Sequence, residues 1–348
     1  MKKATRFLSY LLSGTLMAGP VLADGSLNLL VWEGYADQSY VKVFEEASGC
    51  SVSATYVGSN DDFLPKLQAG GGSVYDLLSV SADATPILIA ADLVDEIDTG
   101  RISNWEEIYD TFRADPSINV DGTIYGVPFE WAANPFIYRT DKISTPPTSI
   151  GDLWNPDYKG KVGMWDDKSS LFNTARLLGI ADPFKMTDEE LEQVKAKLIE
   201  QKPLIRKYWS TAGELTNLMA SGEVYISYTW GGLMLNELKK LGIPAAEFTP
   251  KEGVDGWVDN WMLVKGTPNS DCAYKYIEYM NSAEGQCAVS GVTGYWPVNP
   301  EAASCMSEED VKAKHVGDKG FLTTLAMWQT PDRPVEYANT WNAIKAAP

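Results

Sequence analysis

The stretch LNLLVWEGY, from Leu27 to Tyr35, begins with a nearly continuous apolar run and ends with two aromatic residues on either side of an acidic residue and a glycine. A short apolar run of this kind is typical of a strand that is buried on both faces. The chain then alternates helical and strand patterns, with a helix over 40–47 that ends at Gly49, a strand near 53–57, a helix over 61–68 and a strand over 75–80. This alternation predicts an α/β fold with parallel strands.

The second half of the chain repeats the same alternation. Thr187 and Glu190 have the spacing of a capping box, and the apolar residues that follow, Leu191, Val194 and Leu198, share one helical face. A strand over 224–230 leads through two glycines into a helix over 233–241. In open α/β sheets ligands bind beyond the carboxyl ends of the strands, so residues at those positions are the first candidates for a site.

The composition is that of a globular protein. The chain has 348 residues, 45% of them hydrophobic and 22% charged, which excludes disordered and fibrous proteins and allows one large or two medium domains. Residues 1–23 have the pattern of a cleaved signal peptide, because basic residues precede an apolar run and small residues end it. A retained membrane anchor is the alternative, but the apolar run is shorter than a spanning helix needs.

The charge balance excludes two classes of partner. Cleavage after Ala23 changes the formal net charge from −18 to −21, because the removed segment carries Lys2, Lys3 and Arg6 and no acidic residue. Nucleic acids and anionic membrane surfaces both require a basic patch. We therefore expect neither as a partner. The chain has no further long apolar run, so we expect the mature protein to be soluble.

Four cysteines allow two disulfides in an exported chain, in any of three connectivities. We favour a bond between Cys287 and Cys305, which would close a loop around residues 294–296, with Cys50 and Cys272 as the second pair. Four free buried thiols are the alternative. The spacing matches no zinc-binding pattern.

Aromatic and acidic residues recur where strands are predicted to end. The chain has twelve tryptophans, and the recurring positions are Trp32-Glu33, Ser81-Ala82-Asp83, Trp165-Asp166-Asp167, Trp230, Trp257-Val258-Asp259, Tyr295-Trp296 and Trp328-Gln329. An indole face attracts an ammonium group, and a carboxylate adds a charge-assisted hydrogen bond. The pattern therefore predicts a site for an organic amine.

Five segments carry a family resemblance. LLVWEGY, YDLLSVS, DLWNPDYKGKV, GWVDN and TGYWPVNP are similar, in order and spacing, to the periplasmic spermidine/putrescine-binding proteins of ABC importers. The resemblance implies a two-lobed binding protein with a hinge, lobe one being 24–132 plus 260–303 and lobe two 133–259 plus 304–348. It also implies a monomer without a cofactor that delivers a polyamine to an inner-membrane permease and its ATPase.

The resemblance also assigns site residues. It implies an aromatic box of Trp32, Tyr35, Trp230, Trp257 and Tyr295, ammonium anchors at Asp167 and Asp259, and polar contacts at Ser81 and Gln329. Three positions depart from the family pattern: Glu33 replaces a serine or threonine, Asp83 replaces a tyrosine, and Ser170 replaces a glutamate. We expect Glu33 and Asp83 to act as further anchors.

These departures leave the particular ligand open. Another cationic amine, such as agmatine, an opine or a quaternary amine, would use the same fold and transporter. Two acids at opposite ends of the cleft would suit a linear diamine, and one acid within an aromatic cage would suit a monocation. A cleft arginine, for which Arg139 and Arg333 are candidates, would indicate a ligand with a carboxylate.

An enzyme is the remaining alternative. Asp166 and Asp167 could form an acid/base pair in a hydrolase or lyase, but neighbouring residues of a strand point to opposite faces. The single histidine, His315, lies in a lysine-containing segment and is predicted to be a surface residue. A Ser-His-Asp or Cys-His catalytic arrangement is therefore not expected. We therefore expect a binding protein rather than an enzyme.

Overall fold

The computed structural model describes residues 25–322 and 325–348, so the predicted signal peptide lies outside the described residues. Strands of the described residues form two main sheets and one short hairpin. The strands are β1 Gly25–Val31, β2 Cys50–Tyr56, β3 Leu77–Ser81, β4 Asn119–Val120, β5 Thr123–Ile124, β6 Val127–Ala133, β7 Phe136–Arg139, β8 Val162–Trp165, β9 Ile205–Trp209, β10 Ile226–Tyr228, β11 Ala245–Phe248, β12 Asp255–Leu263, β13 Trp296–Pro297 and β14 Ala326–Met327.

Helices connect most of these strands. They are α1 Gln38–Ser48, α2 Phe63–Gly70, α3 Thr85–Ala90, α4 Asp110–Arg113, α5 Ser169–Leu177, α6 Asp188–Gln201, α7 Ala212–Ala220, α8 Leu233–Lys240, α9 Ser270–Asn281, α10 Ala283–Thr293, α11 Glu308–Ala313, α12 Lys319–Leu322 and α13 Pro334–Ala346. Within the described part of the chain, none of them has the length and apolar character that crossing a membrane requires.

The two main sheets have separate strand orders. The first sheet runs β13-β6-β12-β3-β1-β2, with β14 also paired to β12, and the second runs β11-β7-β10-β8-β9. In the first sheet β1 is parallel to β2 and β3, whereas β12 is antiparallel to β3 and β6. The prediction of a two-lobed α/β fold is confirmed.

The chain passes between the sheets at short connections. Residues 134–135 join β6 of the first sheet to β7 of the second, and residues 249–254 join β11 back to β12. The lobe boundary predicted at 259/260 falls inside β12, and this strand pairs within the first sheet on both sides of it. The C-terminal stretch is divided between the sheets, because β14 pairs with β12 while Trp341 of α13 donates to Asp166 beyond β8.

Local sequence signals explain where the helices begin and end. Asp37 caps α1 by accepting from the Ser39 amide, and Gly49 ends it with φ of 74°, a conformation that glycine adopts without strain. Thr187 and Glu190 form both hydrogen bonds of the predicted capping box at the start of α6. The buried residues of α6 include the three predicted ones, so its helical periodicity faces the core as expected.

Two disulfides link distant parts of the first sheet and its helices. The sulfurs of Cys50 and Cys272 are 2.04 Å apart and connect β2 to α9, and those of Cys287 and Cys305 are 1.92 Å apart. The first bond spans 222 residues of sequence and the second spans 18. The larger loop restricts the unfolded chain more strongly.

We expect removal of the Cys50–Cys272 bond to cost more stability than removal of the other. In the chain-entropy description, the loop lengths correspond to roughly 5 kcal/mol for the first bond and roughly 3 kcal/mol for the second. Paired Cys→Ser variants, compared by denaturant unfolding under oxidising conditions, measure the two losses. An equal or greater loss for the Cys287/Cys305 variant would contradict this ranking.

Candidate ligand-binding site

A small cavity lies between the two sheets. It is lined by Trp32, Ser81, Asn134, Trp165, Trp230, Trp257, Asp259, Tyr295 and Trp328. These residues come from the ends of β1, β3, β8 and β10, from the middle of β12, from the connection at 134–135, and from the positions just before β13 and just after β14. No lining residue is more than 5% exposed, so a ligand can enter only if the two sheets move apart.

The aromatic walls contact one another around the cavity. The ring centroid of Trp165 lies 6.0 Å from that of Trp32, 5.3 Å from that of Trp230 and 6.0 Å from that of Trp328. On the other side, the rings of Trp257 and Tyr295 meet edge to face at 4.7 Å. The result is a cage of indole and phenol rings contributed by both sheets, the arrangement that attracts an organic cation.

One carboxylate, that of Asp259, lines this cage. Its two oxygens accept hydrogen bonds from the Tyr35 hydroxyl at 2.8 Å and the Ser81 hydroxyl at 2.5 Å. Among the described residues no lysine, arginine or histidine forms an ion pair with it. Burial raises the pKa of Asp259 to about 7, although both hydroxyl hydrogen bonds lower it. A ligand cation would supply the charge that this buried carboxylate lacks.

Several polar groups at the cavity lack partners within the described residues. Asn134, in the connection between β6 and β7, is fully buried, and neither the oxygen nor the nitrogen of its side-chain amide is hydrogen-bonded. The indole N–H groups of Trp32, Trp230 and Trp257 are also buried without an acceptor. Buried polar groups are normally satisfied, so these groups are available to a ligand that can both donate and accept hydrogen bonds.

Direct contacts close the two sheets over the cavity. The indole N–H of Trp165 donates to the Gly58 carbonyl at 2.8 Å, and the Ser59 hydroxyl donates to the Asp167 carboxylate at 2.9 Å. At a separate point the Gly213 amide donates to Glu33 at 3.2 Å. Each bond joins a segment next to the first sheet to one next to the second, so the structure is the closed form of the cleft.

A buried lysine reinforces this closure. Lys168, which precedes α5, is 2% exposed and places its Nζ 2.9 Å from Asp61 and 3.6 Å from Asp83. Burial lowers the pKa of Lys168, but the carboxylates of Asp167, Asp83 and Asp61 together raise it above its ordinary value. The lysine is therefore charged and bridges the two halves of the molecule.

The predicted site residues fall into two groups. Those that line the cavity are Trp32, Ser81, Trp230, Trp257, Asp259 and Tyr295. Those that do not are Tyr35, which hydrogen-bonds to Asp259 from outside the lining, Glu33, which accepts from Gly213, Asp83 and Asp167, which surround Lys168, and Gln329, which is exposed.

The placement of Asp83 and Asp167 differs from the prediction for a physical reason. Asp83 is buried beside Lys168 and also accepts from the Asn60 amide, and Asp167 accepts from Ser59 and from the Ser169 amide. Both carboxylates also lie near the Lys168 ammonium, so their charge is compensated within the protein. Asp259 is therefore the carboxylate that remains for a ligand in the described cavity.

Sequence reasoning assigned no role at the site to four residues. Trp165 and Trp328 followed the strand-end pattern, and that signal could have placed them in the cage. Asn134 gave no signal, because an isolated asparagine before a proline is typical of a turn. Lys168 could not be paired with Asp83 from the sequence, because the two are distant along the chain and meet only across the closed cleft.

The residues proposed for other ligands or reactions lie elsewhere. Arg139 donates to Asp141 and to the Met219 carbonyl, and Arg333 donates to Asp188 and the Met186 carbonyl. Neither arginine lines the cavity. His315 is partly buried against Phe321 and Trp296 rather than free on the surface, and it does not line the cavity.

Two α/β sheets joined by short connections, with a sealed aromatic cavity between them, define a two-lobed ligand-binding protein. The chain belongs to the bacterial extracellular solute-binding protein family, whose model matches residues 39–316. This match covers most of both sheets and the connections between them.

Relatives of known name match nearly the whole chain. It is 26% identical over 356 residues to the spermidine/putrescine-binding periplasmic protein of Salmonella typhimurium, with 99% of each chain covered. It is 25% identical over 344 residues to the putrescine/agmatine-binding protein of Pseudomonas aeruginosa, covering 93% of this chain and 92% of that one. The solved TpPotD lipoprotein of Treponema pallidum superposes with a TM-score of 0.76 at 22% identity, covering 92% of this chain and 99% of that one, and supports the fold.

Proposed function

We propose that this protein is the periplasmic solute-binding component of an ABC importer and captures an organic amine cation between its two lobes. The observation that carries this proposal is the buried Asp259 carboxylate, which lies in an aromatic cage without a cationic partner in the described residues. Polyamines are the first candidates because the relatives named above bear them in their names. Agmatine, an opine or a quaternary amine would use the same carboxylate and cage.

The proposed mechanism is capture by closure of the cleft. The lobes would move about the connections at residues 134–135 and 249–254, where the chain passes between the sheets. In the open form the first sheet, which carries Asp259, would bind the ligand first, and Trp165 and Trp230 of the second sheet would then close over it. The bonds from Trp165 to Gly58 and from Ser59 to Asp167 would then form, and an inner-membrane permease with its ATPase would bind the closed surface.

A binding role without catalysis accounts for the site better than an enzyme does. The candidate acid/base pair is separated, because Asp166 accepts from Trp341 and Lys345 while Asp167 accepts from Ser59. Export through a cleaved signal peptide, a periplasmic location, a monomeric state and the lack of a cofactor are parts of the same proposal.

A thermal-shift series on the purified protein tests the proposed function. The panel is putrescine, spermidine, spermine, cadaverine, agmatine, choline and arginine, with maltose as the uncharged control. A ligand that binds only the folded state raises the melting temperature by mass action. At a ligand concentration of 100 times Kd it stabilises the folded state by about 2.7 kcal/mol. We expect at least one amine to raise the melting temperature and maltose to leave it unchanged. If no amine of the panel raised the melting temperature, the proposal would be contradicted.

Removing one aromatic wall should weaken binding of the amine. Trp257→Leu keeps an apolar side chain but removes the π face, and a desolvated cation–π contact is worth about 1–2 kcal/mol. We therefore expect roughly a 5- to 30-fold rise in Kd, measured by calorimetry with the best ligand of the panel. Trp257→Phe, which keeps a weaker π face, is the matched control and should fall between the parent and the leucine variant. Equal affinity of the leucine variant and the parent would remove Trp257 from the cage.

A further inference from the structure

The protein supplies a buried cation of its own next to the cavity. Lys168 lies on the turn that follows the cavity residue Trp165, and its partner Asp83 lies two residues beyond the cavity residue Ser81. The lysine is 2% exposed and contacts Asp61 as well. An ammonium group thus already occupies the carboxylates that could hold a second charged end of a ligand.

The remaining acids near this turn are also occupied. Asp167 accepts from the Ser59 hydroxyl and the Ser169 amide, and Asp166 accepts from the Lys345 ammonium. In the cavity itself Asp259 is the acidic lining residue. A dication in this space would have one lining carboxylate for its two ammonium groups, so one ammonium would be buried without a lining counter-ion, which is strongly unfavourable.

Apart from Asp259, the polar groups that line the cavity are uncharged. Asn134 offers an unpaired amide oxygen and nitrogen, and the indole N–H groups of Trp32 and Trp230 offer two further donors. No arginine or lysine is among the lining residues, so a carboxylate on the ligand would have no cationic partner there. An uncharged ligand group that both donates and accepts hydrogen bonds, such as a hydroxyl or an amide, can pair with these side chains.

We propose that the ligand is a small monocation, with one ammonium held by Asp259 in the cage and an uncharged hydrogen-bonding group beside Asn134. Lys168 is the specificity residue that replaces the second ammonium of a diamine. This inference rests on the proposed function, since it specifies which organic amine the same site takes.

A matched pair of ligands tests the charge count. Putrescine and 4-amino-1-butanol have the same four-carbon chain, but the second carries a hydroxyl in place of one ammonium. By calorimetry at pH 8 we expect 4-amino-1-butanol to bind at least about 10-fold more tightly than putrescine. Equal or tighter binding of putrescine would overturn this inference and leave the proposed function standing. If neither compound binds and no amine of the thermal-shift panel binds, the proposed function fails and this inference fails with it.

Variants of Lys168 test its role separately. Lys168→Met frees Asp83 and Asp61, so the ratio of the two affinities should move toward putrescine by about 10-fold or more. Lys168→Arg keeps the positive charge and should leave the ratio near that of the parent. If Lys168 had a purely structural role, the methionine variant would bind both ligands more weakly by the same factor. The ratio of the two affinities would then stay unchanged, which would contradict the assignment. The comparison of putrescine with 4-amino-1-butanol on the parent protein shows whether the site takes one or two ligand charges, even if the Lys168→Met variant does not fold.

Discussion

Replacing Asp259 by Asn is expected to weaken binding of the cation by about 30- to 1000-fold, because the ligand's ammonium would be buried without its counter-ion. Loss of one partner of a buried, hydrogen-bonded charge pair costs about 2–4 kcal/mol. The asparagine has nearly the same shape, and its amide oxygen can still accept from Tyr35 or Ser81. Calorimetry with the best ligand of the panel measures the change in Kd.

The stability of the free protein separates this effect from misfolding. Burial raises the pKa of Asp259, so the ionised carboxylate destabilises the ligand-free fold near pH 8 and its removal should not lower the melting temperature. Asp157→Asn changes an exposed carboxylate outside the cavity and is the matched control; it should bind like the parent. An Asp259→Asn variant with parental affinity would remove this residue from the site.

Binding of the cation is expected to weaken as the pH falls, because protons compete with the ligand for Asp259. Burial raises the pKa of this carboxyl to about 7, so the affinity should be near its maximum at pH 8. Below pH 7 it should fall by up to about tenfold per pH unit, to about 100-fold weaker at pH 5. A series of calorimetric titrations from pH 5 to pH 8 measures this slope.

The groups around Asp259 do not produce the same profile. They are the hydroxyls of Tyr35 and Ser81, the Tyr295 ring, and the Glu130 carboxyl opposite on β6. Burial raises the pKa of both tyrosines above their ordinary value of 10.0, so neither titrates in this range. Burial also raises the pKa of Glu130, which the Lys314 charge opposes. Glu130 does not line the cavity, so Glu130→Gln should keep the pH dependence of binding, and Asp259→Asn should abolish it.

The contribution of Asp259 to the stability of the ligand-free protein should respond to pH in the opposite direction. The folded-state pKa of Asp259, about 7, is above its ordinary value of 3.8, so between these values the folded state binds more protons than the unfolded state. The contribution of this group to stability therefore increases as the pH falls from 7 toward 4. A loss of affinity at pH 5 that parallels a loss of folded protein would contradict proton competition at Asp259.

Much of the fold could be predicted because its signals are local. The apolar run of β1, the glycine that ends α1 and the capping box of α6 each act over a few residues, and the structure contains all three features. The lobe boundary was harder to predict. The chain returns to the first sheet before β12, and only the pairing of that strand with β3 and β6 reveals where it does so.

The site residues also divide into those that a sequence pattern indicates and those that it does not. Aromatic residues at strand ends converge on one cavity because parallel strands bring their carboxyl ends together, and the sequence therefore indicated Trp32 and Trp230. Trp257 lies instead in the middle of β12, which is antiparallel to β3 and β6. The role of each carboxylate depends instead on which distant side chain meets it. Lys168 reaches Asp83 across the cleft, whereas no cationic side chain of the described residues reaches Asp259, and no local pattern distinguishes these two cases.

A crystal structure of the protein with its tightest-binding amine tests most directly whether Asp259 and the aromatic cage hold the cation. We expect an ammonium nitrogen about 3 Å from a carboxylate oxygen of Asp259 and within about 6 Å of the ring centroids of Trp257 and Trp230. An ammonium bound instead at Asp83 or Asp167, or a ligand bound outside the aromatic cavity, would contradict this expectation.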